Sequence, residues 1–415
     1  MTTLRTRAER PLSSREAMER EDRFGAHNYR PLPVVLTRGE GPFVWDVEGR
    51  RYYDFLSAYS AVNQGHCHPR IVSALQEQAS RLALTSRAFY NDRLGAFEEY
   101  LTRLFRYDKV LPMNSGAEAV ETALKLCRRW GYETKGIPAG KARVVVCEGN
   151  FHGRTITLVS ASSDPECYGG FGPFTPGLVK IPYDDVEALR VALEDPAVAA
   201  FLVEPIQGEA GVVLPMAGYL TRARELCTRH RVLLVADEVQ TGLGRTGALL
   251  ACDHEEVRPD VLVLGKALSG GMYPVSAVLA DDEVMLAIRP GQHGSTFGGN
   301  PLAAHVALAA VQVVVDEGLA ENARRMGGVL RTGLRALRHP MIEQVRGLGL
   351  LNAIVVRPAK GLTAWDVCLR LMGNGLLAKP THGNVIRLAP PLVIDGTETR
   401  DAVRIVAETF AGLPS

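Results

Sequence analysis

Residues 261–271 read VLVLGKALSGG, a short apolar run followed by a single lysine and a turn of small residues. A continuous aliphatic run bounded by glycines predicts a buried strand. Such a strand would deliver the amine of Lys266 into a cleft, where loss of hydration lowers the amine's pKa and makes its neutral, nucleophilic form accessible. The same pattern also fits a lysine exposed at the end of a strand, since most lysines are exposed.

The overall composition is that of a globular protein with little net charge. A length of 415 residues predicts a large domain with one or two smaller ones. The 47 basic and 46 acidic side chains argue against nucleic acid or a membrane surface as partners. We find neither an apolar run of membrane-spanning length nor the apolar core of a signal peptide. Seven scattered cysteines without a CxxC pair favour a reducing, cytoplasmic location over a zinc site or a disulfide framework.

Short apolar runs alternate with amphipathic helical stretches through the middle of the chain. This alternation predicts an α/β fold with a mostly parallel sheet covered by helices on both faces. The predicted strands are 142–147, 199–203, 232–236, 261–264 and 275–279, and the predicted helices between several of them are 116–131, 184–194 and 218–230.

The pattern also predicts how the chain divides into domains. We expect a flexible tail over 1–23 and a segment of a small domain over 24–68, with a hairpin at Glu48-Gly49. A large domain over 69–315 is expected to follow. A small C-terminal α/β domain over 316–415 would complete the fold.

Two further features place chemistry near Lys266. Asp237 follows the predicted strand 232–236, where an acid can pair with a cationic ring nitrogen, bind a metal or cap a helix. The turn 114–118, NSGAE, precedes a helix and suits either a phosphate or an ordinary cap by Ser115. A lysine, an acid and a phosphate turn together specify pyridoxal phosphate, which needs an aldehyde-binding amine, a partner for its ring nitrogen and a phosphate anchor.

Two other motifs carry less weight. Residues 242–247, GLGRTG, match the dinucleotide pattern G-x-G-x-x-G but do not directly follow a strand, so we interpret them as a backbone turn. Residues 66–69, HCHP, hold ligand-type side chains that are too close in sequence to converge on one ion. They are therefore interpreted as a turn before a helix.

Three segments resemble the class III aminotransferases of the fold-type I pyridoxal-phosphate superfamily: 115–119 (SGAEA), 237–242 (DEVQTG) and 265–271 (GKALSGG). The resemblance runs from about Phe24 to the last helix. Segments 58–69, 204–212 and 377–383 narrow it to members that act on L-ornithine and 2-oxoglutarate. Related members that use N-acetylornithine or 4-aminobutyrate stay open as alternatives, as does a non-catalytic paralogue.

The resemblance implies a set of residues around the cofactor. Lys266 would bind the cofactor aldehyde and later move the proton, Asp237 would pair with the pyridine nitrogen, and Gln240 would bind near the ring hydroxyl. A homodimer with shared active sites is implied, because the neighbouring subunit supplies part of the phosphate site. The remaining cofactor-binding residues are Ser115, Gly116 and Ala117 at the phosphate, Phe151 on the ring face, and Ser295 and Thr296 from the neighbour.

The resemblance also implies how the substrates bind. Arg387 would bind the carboxylate of glutamate or 2-oxoglutarate, and Glu209 would neutralise it by a bidentate pair while ornithine reacts. Tyr59 would line the same pocket. Tyr29 and Arg154 would hold the outer amino acid end of ornithine. His152, next but one to Arg154, stands where some members of the family carry an aromatic residue.

Overall fold

The computed structural model describes residues 13–359 and 361–413 of the chain. Residues 1–12, part of the predicted flexible tail, lie outside the described residues. The helices are α1 Ser14–Phe24, α2 Ser57–Ser60, α3 Pro69–Ala79, α4 Leu94–Phe105, α5 Gly116–Glu133, α6 Ile156–Ala161, α7 Pro165–Tyr168, α8 Val186–Ala192, α9 Tyr219–His230, α10 Asp282–Met285, α11 Pro301–Asp316, α12 Leu319–Ala336, α13 Ala364–Gly373 and α14 Gly396–Ala411.

The strands form three sheets. The central sheet has seven strands in the order β4-β10-β9-β8-β7-β5-β6, and the two smaller sheets have the orders β1-β2-β3-β13 and β11-β12-β15-β14. The strands are β1 Leu36–Glu40, β2 Phe43–Asp46, β3 Arg51–Asp54, β4 Lys109–Met113, β5 Arg143–Cys147, β6 Leu178–Ile181, β7 Val198–Val203, β8 Leu233–Asp237, β9 Val261–Leu264, β10 Ser276–Ala280, β11 Ile342–Leu348, β12 Leu351–Val356, β13 Leu376–Leu377, β14 Lys379–Thr381 and β15 Val385–Leu388.

The central sheet confirms the predicted α/β class. Only β10 runs antiparallel to its neighbours in it. Successive side chains of β5 pack into opposite helical layers: Val144 and Val146 contact the α5 side, whereas Val145 and Cys147 contact the α9 side. Full burial of each such valine contributes about 1.5–3 kcal/mol. These strands are continuous apolar runs because both of their faces are covered.

The N-terminal segment joins the C-terminal part of the chain. The predicted hairpin is present as β2 and β3, with Gly49 at a φ of 83° in its turn. Strand β3 then pairs in parallel with β13, and Tyr53 and Phe55 enter a core made largely of residues beyond 300. This pairing supports a small domain built from both ends of the chain. The boundaries at 68/69 and 315/316 stay a prediction.

Ten of the eleven residues of helix α1, Ser14–Phe24, lie within the range 1–23 that was predicted as a flexible tail. Its N-terminus is closed by a capping box, in which the Ser13 hydroxyl accepts from Glu16 N and the Glu16 carboxylate accepts from Ser13 N. Ser14 further binds Glu48 through its backbone N–H and its hydroxyl. The box stabilises the helix although none of its residues is buried.

Among residues 13–359 and 361–413, no single helix has the length and apolar character needed to cross a membrane; helices α11 and α12 meet that criterion only together, as a pair bent by 57°.

Candidate active site

Lys266 lies at the end of β9, beside a cavity of about 220 Å³. The cavity is at the carboxyl edge of the central sheet, where ligands bind in open α/β folds. Lys266 has a φ of 44°, a left-handed conformation that is strained for a lysine and recurs at functional sites. The lining residues are Gly116, Ala117, Phe151, His152, Gly153, Glu204, Asp237, Val239, Gln240 and Lys266.

The surroundings of Lys266 favour its neutral amine. Burial lowers its pKa, and the positive charge of Arg387 acts in the same direction. The carboxylates of Glu209, Asp237 and Glu204 oppose this without reversing it. A lowered pKa makes more of the nucleophilic form available, as the sequence predicted for this lysine.

The Asp237 carboxylate is held in one orientation. Its Oδ1 accepts from Val239 N at 3.1 Å, and its Oδ2 is 2.7 Å from His152 Nδ1. Burial alone would lower the pKa of His152, but the hydrogen bond to Asp237 and the negative charges of Asp237 and Glu204 outweigh it and raise that pKa. The sequence did not predict this contact, since the two residues are 85 positions apart.

Glu204 is a second acid in the cavity, and the sequence did not assign it a role. Its Oε1 accepts from Phe151 N at 2.8 Å. Burial raises the pKa of Glu204 to about 7. The available signal was its position directly after the predicted strand 199–203, the same relation that singled out Asp237.

The start of α5 has both features that the sequence suggested, a cap by Ser115 and a backbone suited to a phosphate. Ser115 caps the helix: its hydroxyl accepts from Glu118 N at 3.2 Å, and the Glu118 carboxylate accepts from Ser115 N at 2.8 Å. Gly116 and Ala117 line the cavity. A Cβ at Gly116 would lie 2.9 Å from a methyl group of Val239. The glycine therefore keeps the backbone open to the cavity where helix N–H groups favour an anion.

Glu209 and Arg387 pair as predicted, but through one hydrogen bond and not through the bidentate contact that was expected. Arg387 Nη1 donates to Glu209 Oε1 at 2.6 Å, with the arginine side chain 2% and the glutamate side chain 26% exposed. The Arg387 guanidinium also lies 4.8 Å from the ring centre of Tyr59. Burial raises the pKa of Glu209, but Arg387, Lys266 and Gln240 outweigh it, so the net pKa is lowered. Glu209 is therefore ionised and neutralises Arg387.

The predicted residues that do not line this cavity include Tyr29, Arg154, Ser295 and Thr296. Tyr29 is 73% exposed, with its ring centre 6.0 Å from Lys379 Nζ. Arg154 is exposed, with its guanidinium 5.6 Å from the ring centre of Phe151. Ser295 accepts a hydrogen bond from the Asn114 amide at 2.9 Å, and neither Ser295 nor the exposed Thr296 lines the cavity.

The two motifs given less weight occupy structural positions. Residues 242–247 form a turn, as predicted, and its Arg245 is fully buried. His66 bonds to Asp54 and His68 to Glu317, so the two histidines serve different carboxylates before α3 begins at Pro69. No group of at least three His, Cys, Asp or Glu suited to a metal ion occurs within the described part of the chain.

The fold, with a lysine and an acid at the ends of neighbouring strands, agrees with a family comparison that covers almost the whole chain. The family model described as aminotransferase class III covers residues 24–410. The chain belongs to the class III aminotransferases, which use pyridoxal phosphate.

Individual members of this family are similar to the chain over nearly its full length. The mitochondrial ornithine aminotransferase of Rattus norvegicus is 63% identical over 96% of this chain and 91% of its own length. A crystal structure of the ornithine aminotransferase from Toxoplasma gondii matches with a TM-score of 0.95 and 51% identity, covering 96% of this chain and 95% of that one. An acetylornithine aminotransferase structure from Elizabethkingia anophelis matches with a TM-score of 0.89 and 57% identity, covering 97% and 100%.

The residues of the cavity fit this cofactor. A buried lysine with a lowered pKa suits its aldehyde, and the oriented carboxylate of Asp237 suits a cationic ring nitrogen. The open helix start at Gly116 suits its phosphate. When bound, pyridoxal phosphate supplies an electron sink that lets an amino group pass from a donor to an acceptor.

Proposed function

We propose that this chain is an ornithine δ-aminotransferase. It moves the δ-amino group of L-ornithine to 2-oxoglutarate and gives glutamate and glutamate 5-semialdehyde, which cyclises spontaneously. The observation that carries the proposal is the Glu209–Arg387 pair at 2.6 Å, beside a cavity that fits the cofactor. The similarity to ornithine aminotransferases over nearly the full chain supports it.

The pair accounts for two substrates that react in opposite orientations. Ornithine must present its δ-amine to Lys266, with its α-carboxylate turned outward, whereas glutamate must react at its α-carbon. An unpaired Arg387 would attract the α-carboxylate of ornithine and bring the wrong amine forward. Glu209 blocks that mode while paired and, by moving aside, allows 2-oxoglutarate to bind. Tyr29 and Arg154 would hold the outward end of ornithine.

We propose roles for the cavity residues in the same reaction. Lys266 would bind the cofactor aldehyde and, once the substrate amine has displaced it, its free amine would accept the proton that leaves the substrate carbon. Asp237 would keep the ring nitrogen protonated, and Phe151 would pack on the ring face. The segment from Ser115 to Ala117 would bind the phosphate, and Gln240 would contact the ring near its hydroxyl.

We further propose a homodimer in which Ser295 and Thr296 complete the phosphate site of the partner; association beyond the dimer stays open. The loop that carries them lies beside the segment around Asn91, whose amide donates to Gly299 O at 3.4 Å. Phe89 and Tyr90 on that segment are 73% and 105% exposed. Large exposed aromatic side chains next to a site residue favour an interface there.

We propose a cytoplasmic location. All seven cysteines are free and six of them are buried, which suits a reducing compartment. Curated relatives differ in this respect, since several are named as mitochondrial. Imaging of the tagged chain in its own cell would test the location.

A second candidate is a sister enzyme with N-acetylornithine as donor. It is favoured by the 57% identity to the acetylornithine aminotransferase structure.

A donor panel separates the two candidates. The cofactor-loaded enzyme is mixed with L-ornithine, N-acetylornithine or 4-aminobutyrate in the absence of oxo acid, and the absorbance change of the cofactor is followed. We expect the fastest change with ornithine and ping-pong kinetics with 2-oxoglutarate. A faster reaction with N-acetylornithine would replace the first candidate with the second, and no reaction with any donor would contradict both.

A further inference from the structure

Gln240 lies between the two charged residues of the substrate pocket. Its Nε2 donates to Glu209 Oε1 at 3.0 Å, and its Oε1 accepts from Arg387 Nη1 at 3.1 Å. One amide thus serves both members of the pair, since it carries a donor and an acceptor. Gln240 also lines the cofactor cavity, so it connects that cavity to the substrate pocket.

The three side chains differ in how freely they can move. Gln240 and Arg387 are 6% and 2% exposed, whereas the Glu209 side chain is 26% exposed. Glu209 is therefore the member that can turn toward solvent. Arg387 stays buried when this happens, and its Nε already has no hydrogen-bond partner among the described residues. A buried guanidinium without any acceptor is costly, so the remaining bond to Gln240 becomes important at that step.

A neutral amide suits this step better than an acid. A second carboxylate at position 240 would neutralise Arg387 permanently and compete with an incoming substrate carboxylate. The Gln240 oxygen accepts a hydrogen bond without cancelling the charge. The guanidinium is thereby kept in place and remains available to a carboxylate.

Gly208 makes room for this amide. A Cβ built at Gly208 would overlap Gln240 Oε1, although the φ of Gly208 is outside the left-handed region that favours glycine. Space for the amide, not backbone conformation, is therefore what requires glycine here. Gly208 also directly precedes Glu209 and accepts the turn hydrogen bonds from Gly211 and Val212.

We propose that Gln240 is a positioning residue that holds Arg387 in place while Glu209 moves aside, and that position 208 must be glycine to leave space for the Gln240 amide. Together, Gln240 and Gly208 determine the specificity of the site for the α-carboxylate of the oxo acid. This inference rests on the proposed ornithine δ-aminotransferase function.

The test compares Gln240→Met and Gly208→Ala with wild type. Gly328→Ala is the matched control, because a Cβ at Gly328 would meet nothing within 4 Å. Binding of glutarate, a dicarboxylate with no reactive group, is measured by calorimetry on each cofactor-loaded protein. The rate of cofactor conversion by ornithine is measured separately, and the cofactor absorbance maximum and thermal unfolding are recorded.

We expect both variants to weaken glutarate binding by about tenfold or more, the effect of losing a hydrogen bond to a charged group. The ornithine half-reaction of Gly208→Ala should change by a clearly smaller factor than its glutarate binding, and Gly328→Ala should resemble wild type. Unchanged glutarate binding would overturn the inference. Equal losses in both measurements, together with a shifted absorbance maximum, would overturn it as well, because Gln240 would then act only on the cofactor. Failure of wild type itself with ornithine would instead contradict the proposed function.

Discussion

Glu209→Gln tests the charge of the substrate pocket with almost no change in shape. Glu209 Oε1 accepts from both Arg387 Nη1 at 2.6 Å and Gln240 Nε2 at 3.0 Å. Glutamine keeps an acceptor oxygen for Arg387 but carries no charge. The arginine is then no longer neutralised and binds substrate carboxylates more readily. We expect the enzyme to shift from the δ-amine of ornithine toward α-amines.

The size of the shift follows from the burial of the pair. The Arg387 side chain is 2% exposed, so solvent screens its charge weakly. A hydrogen bond to a charged group contributes about 1.5–3 kcal/mol, which corresponds to a change of about 10- to 150-fold in the preference between δ-amine and α-amine transfer. Since Glu209 is 26% exposed, the lower half of that interval is the better expectation.

The assay is a single half-reaction on the cofactor-loaded enzyme. Ornithine and glutamate are compared as donors in a stopped-flow instrument, and the ornithine products are separated by chromatography, since only δ-transfer gives the cyclising semialdehyde. Glu187→Gln is the control, because Glu187 also pairs with an arginine, Arg190, but at the exposed surface. If the ratio of the half-reaction rates with ornithine and with glutamate is the same in Glu209→Gln as in wild type, the proposed role of the Glu209–Arg387 pair is refuted.

Three further changes probe other parts of the molecule. Lys266→Ala should abolish repeated turnover, and borohydride should no longer attach the cofactor covalently to the chain, as judged by mass spectrometry; many turnovers would contradict the role of the lysine. Glu204→Gln tests the pKa of Glu204, which is raised from 4.5 to about 7. The folded wild type binds the proton on this carboxyl more tightly than the unfolded chain does, so wild type loses stability as pH rises through that interval. As pH rises from 5 to 8, the free energy of unfolding of the cofactor-free variant, measured in urea, should therefore increase relative to that of wild type by up to about 3 kcal/mol. A difference between the two proteins that did not change with pH would contradict this. Arg245→Ala should lower the free energy of unfolding by about 3 kcal/mol, because Arg245 donates to Leu350 O, Pro390 O and Asn63 Oδ1 in a fully buried position, and a loss below about 1 kcal/mol would contradict it.

Features with a local cause could be predicted from the sequence. The central strands are continuous apolar runs because helices cover both faces of the sheet. Each run is only four to six residues long, so the sequence itself shows it. Asp237 ends one of these strands and Lys266 stands two residues after the end of another, so their place at the carboxyl edge of the sheet could be predicted as well. Helix α1 is the opposite case: the capping box at Ser13 and Glu16 is a local signal for a helix within a range that was predicted as a flexible tail.

The contacts that give the site its properties are not local, and only the tertiary structure determined them. His152 and Asp237 are 85 positions apart, and Gln240 and Arg387 are 147 apart. Their meeting depends on the order of the strands and on how the C-terminal chain packs against the central sheet. The sequence by itself determined the α/β class, the lysine and the acid, because each depends on neighbours along the chain. The orientation of Asp237, the raised pKa of Glu204 and the amide between Glu209 and Arg387 required the fold, because burial and hydrogen-bond partners come from distant segments.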